Sequence, residues 1–324
     1  MSLAASARGP HTTSTVPPLD DLRFLYVTGK GGVGKTTVSA ALARAMAARG
    51  RRVLVCMCNA KERLSGMLGS GPIGPEIVHV APNIDAVNMV PEKALEEYGV
   101  LILKSRTLYR ALFENRYVTT FFRAVPGLYE WSMLGKAWFH TTELLSGKTT
   151  DEPSPPYGDG WKYETVIVDA PATGHGLDML RVPKVLLDVA PGGPLRKDAE
   201  RAWRLFQDPT HSGVVLVTIP EEMPANETIE LATSVRGELA LPIPRLIVNA
   251  CHTPIFTVQQ RELVIERATR PELAAAHARA EREGVQDAAF AKLATLGAPT
   301  SFLPYILSQS ASDPAAILHL ATSL

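Results

Sequence analysis

The sequence predicts an α/β fold: a mostly parallel sheet flanked by helices, with a helical insertion subdomain. Three observations carry this. Seven short apolar runs alternate with helical patterns, a glycine-rich loop joins one run to a helix, and another run ends in a carboxylate. Runs of this kind between helices are strands buried on both faces. They are Leu22–Thr28, Arg52–Met57, Ile84–Val90, Tyr163–Val168, Gly213–Ile219, Pro244–Asn249 and Thr300–Leu303. In an open α/β sheet, ligands bind beyond the strand carboxyl ends. The ends near Gly29, Cys58, Asp169 and Asn249 are therefore expected around one pocket.

The first run continues as Tyr26-Val-Thr-Gly-Lys-Gly-Gly-Val-Gly-Lys-Thr-Thr37. Within it, Gly29-x4-Gly34-Lys35-Thr36 has the spacing of a phosphate-binding loop. Glycines 29, 31, 32 and 34, with Lys30 and Val33 between them, let backbone N–H groups close around an anionic oxygen. A helix predicted from Thr37 to Gly50 directs its positive end at the same place. Lys35 would neutralise the β- and γ-phosphates, and the Thr36 hydroxyl would hold Mg²⁺. The chain is thus expected to be a P-loop NTPase.

The fourth run leads into Asp169-Ala-Pro-Ala-Thr-Gly-His-Gly176. A carboxylate at a strand tip can hold Mg²⁺, usually through water. The small residues after Asp169, among them Pro171, Thr173 and Gly174, suit a switch ordered by a γ-phosphate and released after its loss.

A chain of 324 residues with 46% hydrophobic residues can build a substantial core. Met1 to Asp20 reads as a flexible tail, and 21–324 as the nucleotide-binding domain, with 91–148 as the inserted helical subdomain. Pro91 to Gly147 looks helical, with a break near Pro126-Gly127. It is dense in aromatics: Tyr98, Tyr109, Phe113, Tyr117, Phe121, Phe122, Tyr129, Trp131, Trp138 and Phe139. That surface is either a client groove or the subdomain's own core. Thr149–Gly160 reads as a loop, and Phe256 to about Leu296 as mainly helical. Lysine plus arginine equals aspartate plus glutamate at 33 each, so no basic field favours nucleic acid. No run of eighteen apolar residues supports stable membrane insertion. Cys56, Cys58 and Cys251 suit a reducing, cytoplasmic setting.

Gly29–Thr37, Pro126-Gly-Leu-Tyr-Glu130, Asp169 through Pro183, Ile219 through Thr228 and Leu246-Ile-Val-Asn249 together resemble the arsenite-pump ATPase (ArsA) group. This branch of the deviant Walker A class includes the targeting factor for tail-anchored proteins. The resemblance implies ATP with Mg²⁺ as the ligand, and a nucleotide-gated dimer, either a homodimer or a heterodimer with a paralogue. It implies a hydrophobic or tail-anchored protein client. By the same likeness, Lys30 reaches the phosphates of the facing subunit, Asn249 binds adenine, and the segment including Pro304 lies near the base. Alternatives of other classes are a positioning ATPase like the partition and division-site proteins, or a nucleotide-binding partner of a paralogous catalytic subunit.

Three departures narrow the expectation. Asn59-Ala60 stands where the group has the aspartate-proline pair that opens its first switch. An amide can hydrogen-bond the attacking water but cannot take its proton. Hydrolysis is thus expected to be slow, unless Glu62 or a related subunit supplies the carboxylate. The three cysteines do not form an arsenite cluster of the pump's kind. The zinc-binding Cys-x-x-Cys of the targeting factor is missing, so no zinc is expected, and no iron–sulfur cluster.

Overall fold

Strand β1 (Phe24–Thr28) is buried along its whole length, and its side chains alternate between two cores. Phe24 and Tyr26 face one side of the sheet, Leu25 and Val27 the other. A central parallel strand requires this two-sided burial. It recurs in β2 (Val53–Cys58), where Leu54, Cys56 and Cys58 join the first core and Val53, Val55 and Met57 the second. The computed structural model describes residues 18–103, 105, 107, 127–171, 173–190, 192–267, 271–307 and 313–324. The expected tail up to residue 17 and the aromatics Tyr109, Phe113, Tyr117, Phe121 and Phe122 lie outside the described residues.

The remaining strands are β3 (Val78–Ala81), β4 (Ile84–Met89), β5 (Thr165–Asp169), β6 (Ser212–Thr218), β7 (Arg245–Cys251) and β8 (Thr300–Pro304). They form one sheet in the order β3-β4-β2-β5-β1-β6-β7-β8. Every neighbouring pair is parallel except β3 and β4. The antiparallel edge strand β3 was not among the expected runs. Its four residues are too short for a clear pattern, and the turn at Pro82-Asn83, with Asn83 at φ 61°, is its local signal. The other seven strands fall on the seven predicted runs, and the sheet is the mostly parallel one expected.

Helix α1 (Lys35–Ala48) begins two residues before the expected start at Thr37. Gly34, at φ 92°, already turns the chain, and its carbonyl accepts the Val38 N–H at 2.9 Å. The helix ends just before Gly50, at φ 86°, the conformation that glycine tolerates at a helix end. Helices α2 (Leu64–Leu68), α3 (Pro91–Leu103) and α4 (Leu128–Thr142) follow, then α5 (Thr173–Val189) and α6 (Pro194–Gln207). The last four are α7 (Glu222–Gly237), α8 (Val258–Glu266), α9 (Ala274–Ala294) and α10 (Pro314–Ala321). Among the described residues, no helix is long and apolar enough to cross a membrane.

Helices α3 and α4 carry the described aromatics of the interval from Pro91 to Gly147. Trp131 is fully buried, Trp138 nearly so, and Tyr98 and Tyr129 pack against the same core. The Tyr98 ring meets Trp131 edge-on at 6.4 Å, a favourable aromatic geometry. The two tryptophans are core residues, and the two tyrosines are half-buried at its margin. Replacing Trp131 with alanine should therefore cost about 3–5 kcal/mol of stability, read as a shift in a urea unfolding midpoint. A loss below about 1 kcal/mol would mean that α4 is not anchored through this indole.

Candidate functional site

The loop that follows β1 is held in shape by what surrounds it. A Cβ on Gly29 would lie 2.1 Å from the Val217 carbonyl oxygen of β6, so only glycine lets the chain leave β1 here. Val33 is buried at the loop's base, while Gly31 and Gly32 are exposed. A Cβ on Gly34 would sit 2.3 Å from Asn249 Nδ2. Asn249, two residues before the end of β7, donates that Nδ2 to the Val33 carbonyl at 2.9 Å. Its amide oxygen makes no bond among the described residues and stays available to a ligand.

Lys35, the first residue of α1, folds back to donate from Nζ to the carbonyls of Gly29 (3.2 Å) and Lys30 (3.0 Å). Burial lowers its pKa, and the nearby Asp169 acts in the opposite sense. Lys30 points elsewhere. Its Nζ is 2.6 Å from Glu227 Oε1 on α7, with both side chains about a third exposed (28% and 34%). The two loop lysines thus have separate partners.

Below the loop, Asp169 ends β5 between β1 and β2, in register with Val27 and Met57. It is 4% exposed. Thr36 Oγ1 donates to Oδ2 at 2.7 Å, and Ser39 Oγ donates to Oδ1 at 3.2 Å. Burial raises the Asp169 pKa; the two hydroxyls and Lys35 oppose the shift. A buried carboxylate answered mainly by two neutral hydroxyls has charge to spare. With the Thr36 hydroxyl it offers hard oxygen ligands beside the phosphate cradle, the donor set that suits Mg²⁺. Ser39 was not expected in this role; its place one turn after Thr36 is the signal that could have found it.

The residues after Asp169 form less of a loop than the sequence implied. Pro171 lies in the link, but Thr173 and Gly174 open α5. The buried Tyr26 of β1 donates its hydroxyl to the Gly176 carbonyl at 2.8 Å, tying this first turn to the strand that carries the phosphate loop. Nothing in the sequence pattern marked Tyr26 as more than a core residue.

Asn59 leaves β2 at φ 47°, a left-handed conformation that asparagine adopts more readily than most residues. It is exposed, and its N–H donates to the Met89 carbonyl at 2.9 Å. Asn88 clasps the next residue, accepting from Ala60 N at 3.2 Å and donating to its carbonyl at 2.9 Å. Glu62 is engaged locally: its carboxylate accepts from the backbone N–H (2.8 Å) and hydroxyl (2.5 Å) of Ser65.

A cavity of about 710 Å³ opens beside the loop, between Gly32–Gly34 and Asn249 on one side and Met223, Val285 and Tyr305 on the other. Tyr305 is half-exposed, and its ring lies 4.7 Å from that of His252 at a 39° tilt. Gln286 fixes the His252 backbone, accepting from its N–H at 2.8 Å and donating to its carbonyl at 2.9 Å. Pro304, the last residue of β8, is not in the wall of this cavity, whereas its neighbour Tyr305 is. The site therefore brings together Gly29 to Thr37, Asp169 and Asn249, with Asn59 at the adjacent strand end.

Comparison with known proteins gives one consistent result. The model of a family described as anion-transporting ATPase (ArsA ATPase) matches residues 22–190, more than half of the chain. The ATPase BagA of Mycobacterium tuberculosis is 29% identical over 252 residues, which cover 76% of this chain and 70% of that protein. ATPase GET3B of Arabidopsis thaliana is 26% identical over 300 residues, covering 75% and 69%. A putative arsenical pump-driving ATPase of Halobacterium salinarum is 26% identical over 246 residues, covering 72% of this chain and 36% of that one.

The Lys30–Glu227 pair is open to a direct check. A partly exposed ion pair contributes up to about 1 kcal/mol. Glu227→Gln should accordingly speed chemical acetylation of Lys30 about two- to fivefold, followed by peptide mass spectrometry. An unchanged rate would mean that Glu227 does not restrain this lysine.

Proposed function

The chain belongs to the anion-transporting ATPase family, and from that premise we propose that it is a nucleotide-gated dimeric switch that hydrolyses ATP slowly and passes its nucleotide state to a hydrophobic or protein client. That it is a P-loop ATPase follows from the family. The finer reading is carried by one observation: Lys35 serves its own loop while Lys30 is turned outward to Glu227. A second cation that its own cradle does not use is available to the phosphates of a second subunit.

In this reading the N–H groups from Gly29 to Thr37 bind the phosphates, and Lys35 neutralises the β- and γ-oxygens. Thr36 and Asp169 would hold Mg²⁺, which when bound supplies further positive charge against the same oxygens. Asn249 offers its free amide oxygen to a nucleobase, and Tyr305 offers it a ring face. Pro171, Thr173 and Gly174, two to five residues beyond the carboxylate strand and followed by the turn that Tyr26 ties to β1, would sense the γ-phosphate. Asn59 orients the attacking water through its amide and leaves the water's proton without a strong base in this chain. Lys30 leaves Glu227 when a second subunit, identical or paralogous, brings its nucleotide alongside. The helices between β4 and β5 then relay the closure to the client.

Two outcomes check this. The purified protein should turn over ATP well below about 10 s⁻¹, the median for enzymes, and Asn59→Asp should raise the rate by about 10²-fold, as a gained general base does. Brisk turnover by the unmodified protein, or no gain in the variant, would refute the role given to Asn59. Light scattering should show a dimer with ATP and Mg²⁺ but a monomer for Lys30→Ala under the same conditions. A wild-type mass that ignores nucleotide would refute the gating.

A further inference from the structure

At the end of β1 opposite the phosphate loop, Arg23 helps line a second cavity, of about 320 Å³. Arg23 precedes β1 and Gly29 follows it. The five-residue strand between them separates the two sites by about 17 Å at roughly 3.3 Å per residue.

Arg23 forms part of the cavity wall although it is only 8% exposed. Its guanidinium lies over the Trp161 ring, 3.2 Å from the centroid. Its Nη2 donates to the Thr141 carbonyl, but its Nε is buried with no partner among the described residues. Burial, and then Arg51, push its pKa down to about 9, and no carboxylate opposes them. A buried cation without a counter-ion is a costly arrangement.

The other basic side chains in the wall already have partners. Arg201 pairs with Asp151, Arg204 with Glu200 at 2.5 Å, and His211 Nδ1 lies 2.9 Å from Asp208. Glu152 is exposed to solvent at the rim. Trp138, Leu205 and Pro153 supply apolar surface. Arg23, a guanidinium without an ion-pair partner, lines a partly apolar space, and a single cation suits a single negative charge.

We propose that this cavity binds a small organic monocarboxylate, its charge on Arg23 and its apolar body against Trp138 and Leu205. The volume is at the lower end for small-molecule sites, enough for a single-ring acid. Guanidinium and carboxylate are matched in shape as well as charge. The site is independent of the nucleotide reading.

The test is ligand-observed fluorine NMR of the full chain with 4-fluorobenzoate. Saturable binding at a Kd of about 1 mM or tighter is expected. The neutral 4-fluorobenzamide should bind at least about tenfold more weakly, a difference of about 1.4 kcal/mol. Inorganic phosphate should not displace the probe. Leu205→Trp narrows the cavity from a half-buried position and leaves Arg23 in place, so it should weaken binding by a similar factor; Arg23→Gln should do the same. Lys35→Ala should bind the probe as the unmodified chain does. If Arg23→Gln fails to fold, Leu205→Trp decides. Absent saturation, equal binding of the amide, displacement by phosphate, loss in Lys35→Ala, or full binding by a folded Leu205→Trp variant would each overturn the proposal.

Discussion

The hydrogen bonds from Thr36 and Ser39 to Asp169 hold the site together. They join the first turns of α1 to the tip of β5, and so fix the helix that ends the phosphate loop against the centre of the sheet. An ionised carboxylate at 4% exposure is unfavourable unless its surroundings answer the charge. Two hydroxyls and the field of Lys35 answer it in part, and burial still raises its pKa. The unanswered remainder makes this end of β5 receptive to a cation. Structure and chemistry meet in one side chain.

That arrangement needs a sheet that does not yield. β1, β2, β5 and β6 are buried along their full lengths, so a shift of any of them would disturb packing on both faces. Tight approaches reinforce the point: Gly29 against the Val217 carbonyl, and Gly34 against Asn249. Interiors packed this closely transmit displacement instead of absorbing it. The Tyr26 hydroxyl extends the same constraint to the first turn of α5. The loop and the segment after Asp169 are therefore anchored to one strand.

The parts proposed to move are held by weaker means. Lys30 is restrained by a partly exposed ion pair, which contributes little and is easily exchanged for a phosphate. Asn59 and Ala60 hang on the backbone of β4 and the Asn88 amide. Glu62, a candidate to replace the missing carboxylate, is committed to Ser65. This contrast between a rigid cradle and lightly tethered flanks is what a nucleotide-operated switch requires.

Local features were legible in the sequence because the backbone itself demands them. Gly29 to Thr36 spells a loop that other residue types cannot follow, and apolar runs flanked by helices spell a parallel sheet. Asp169 and Asn249 were legible by their places at strand ends. What tertiary structure alone decided depends on pairs far apart in the chain. Glu227 meets Lys30 across 197 positions, Tyr26 meets Gly176 across 150, and Tyr305 comes beside His252 only when β8 docks on β7. Arg23 reads as a charge before a strand, and only packing buries it over Trp161 without a counter-ion. Spacing along a chain encodes dihedral angles and periodicity; which side chain neutralises which is settled by the fold, because charge acts through space and not along sequence.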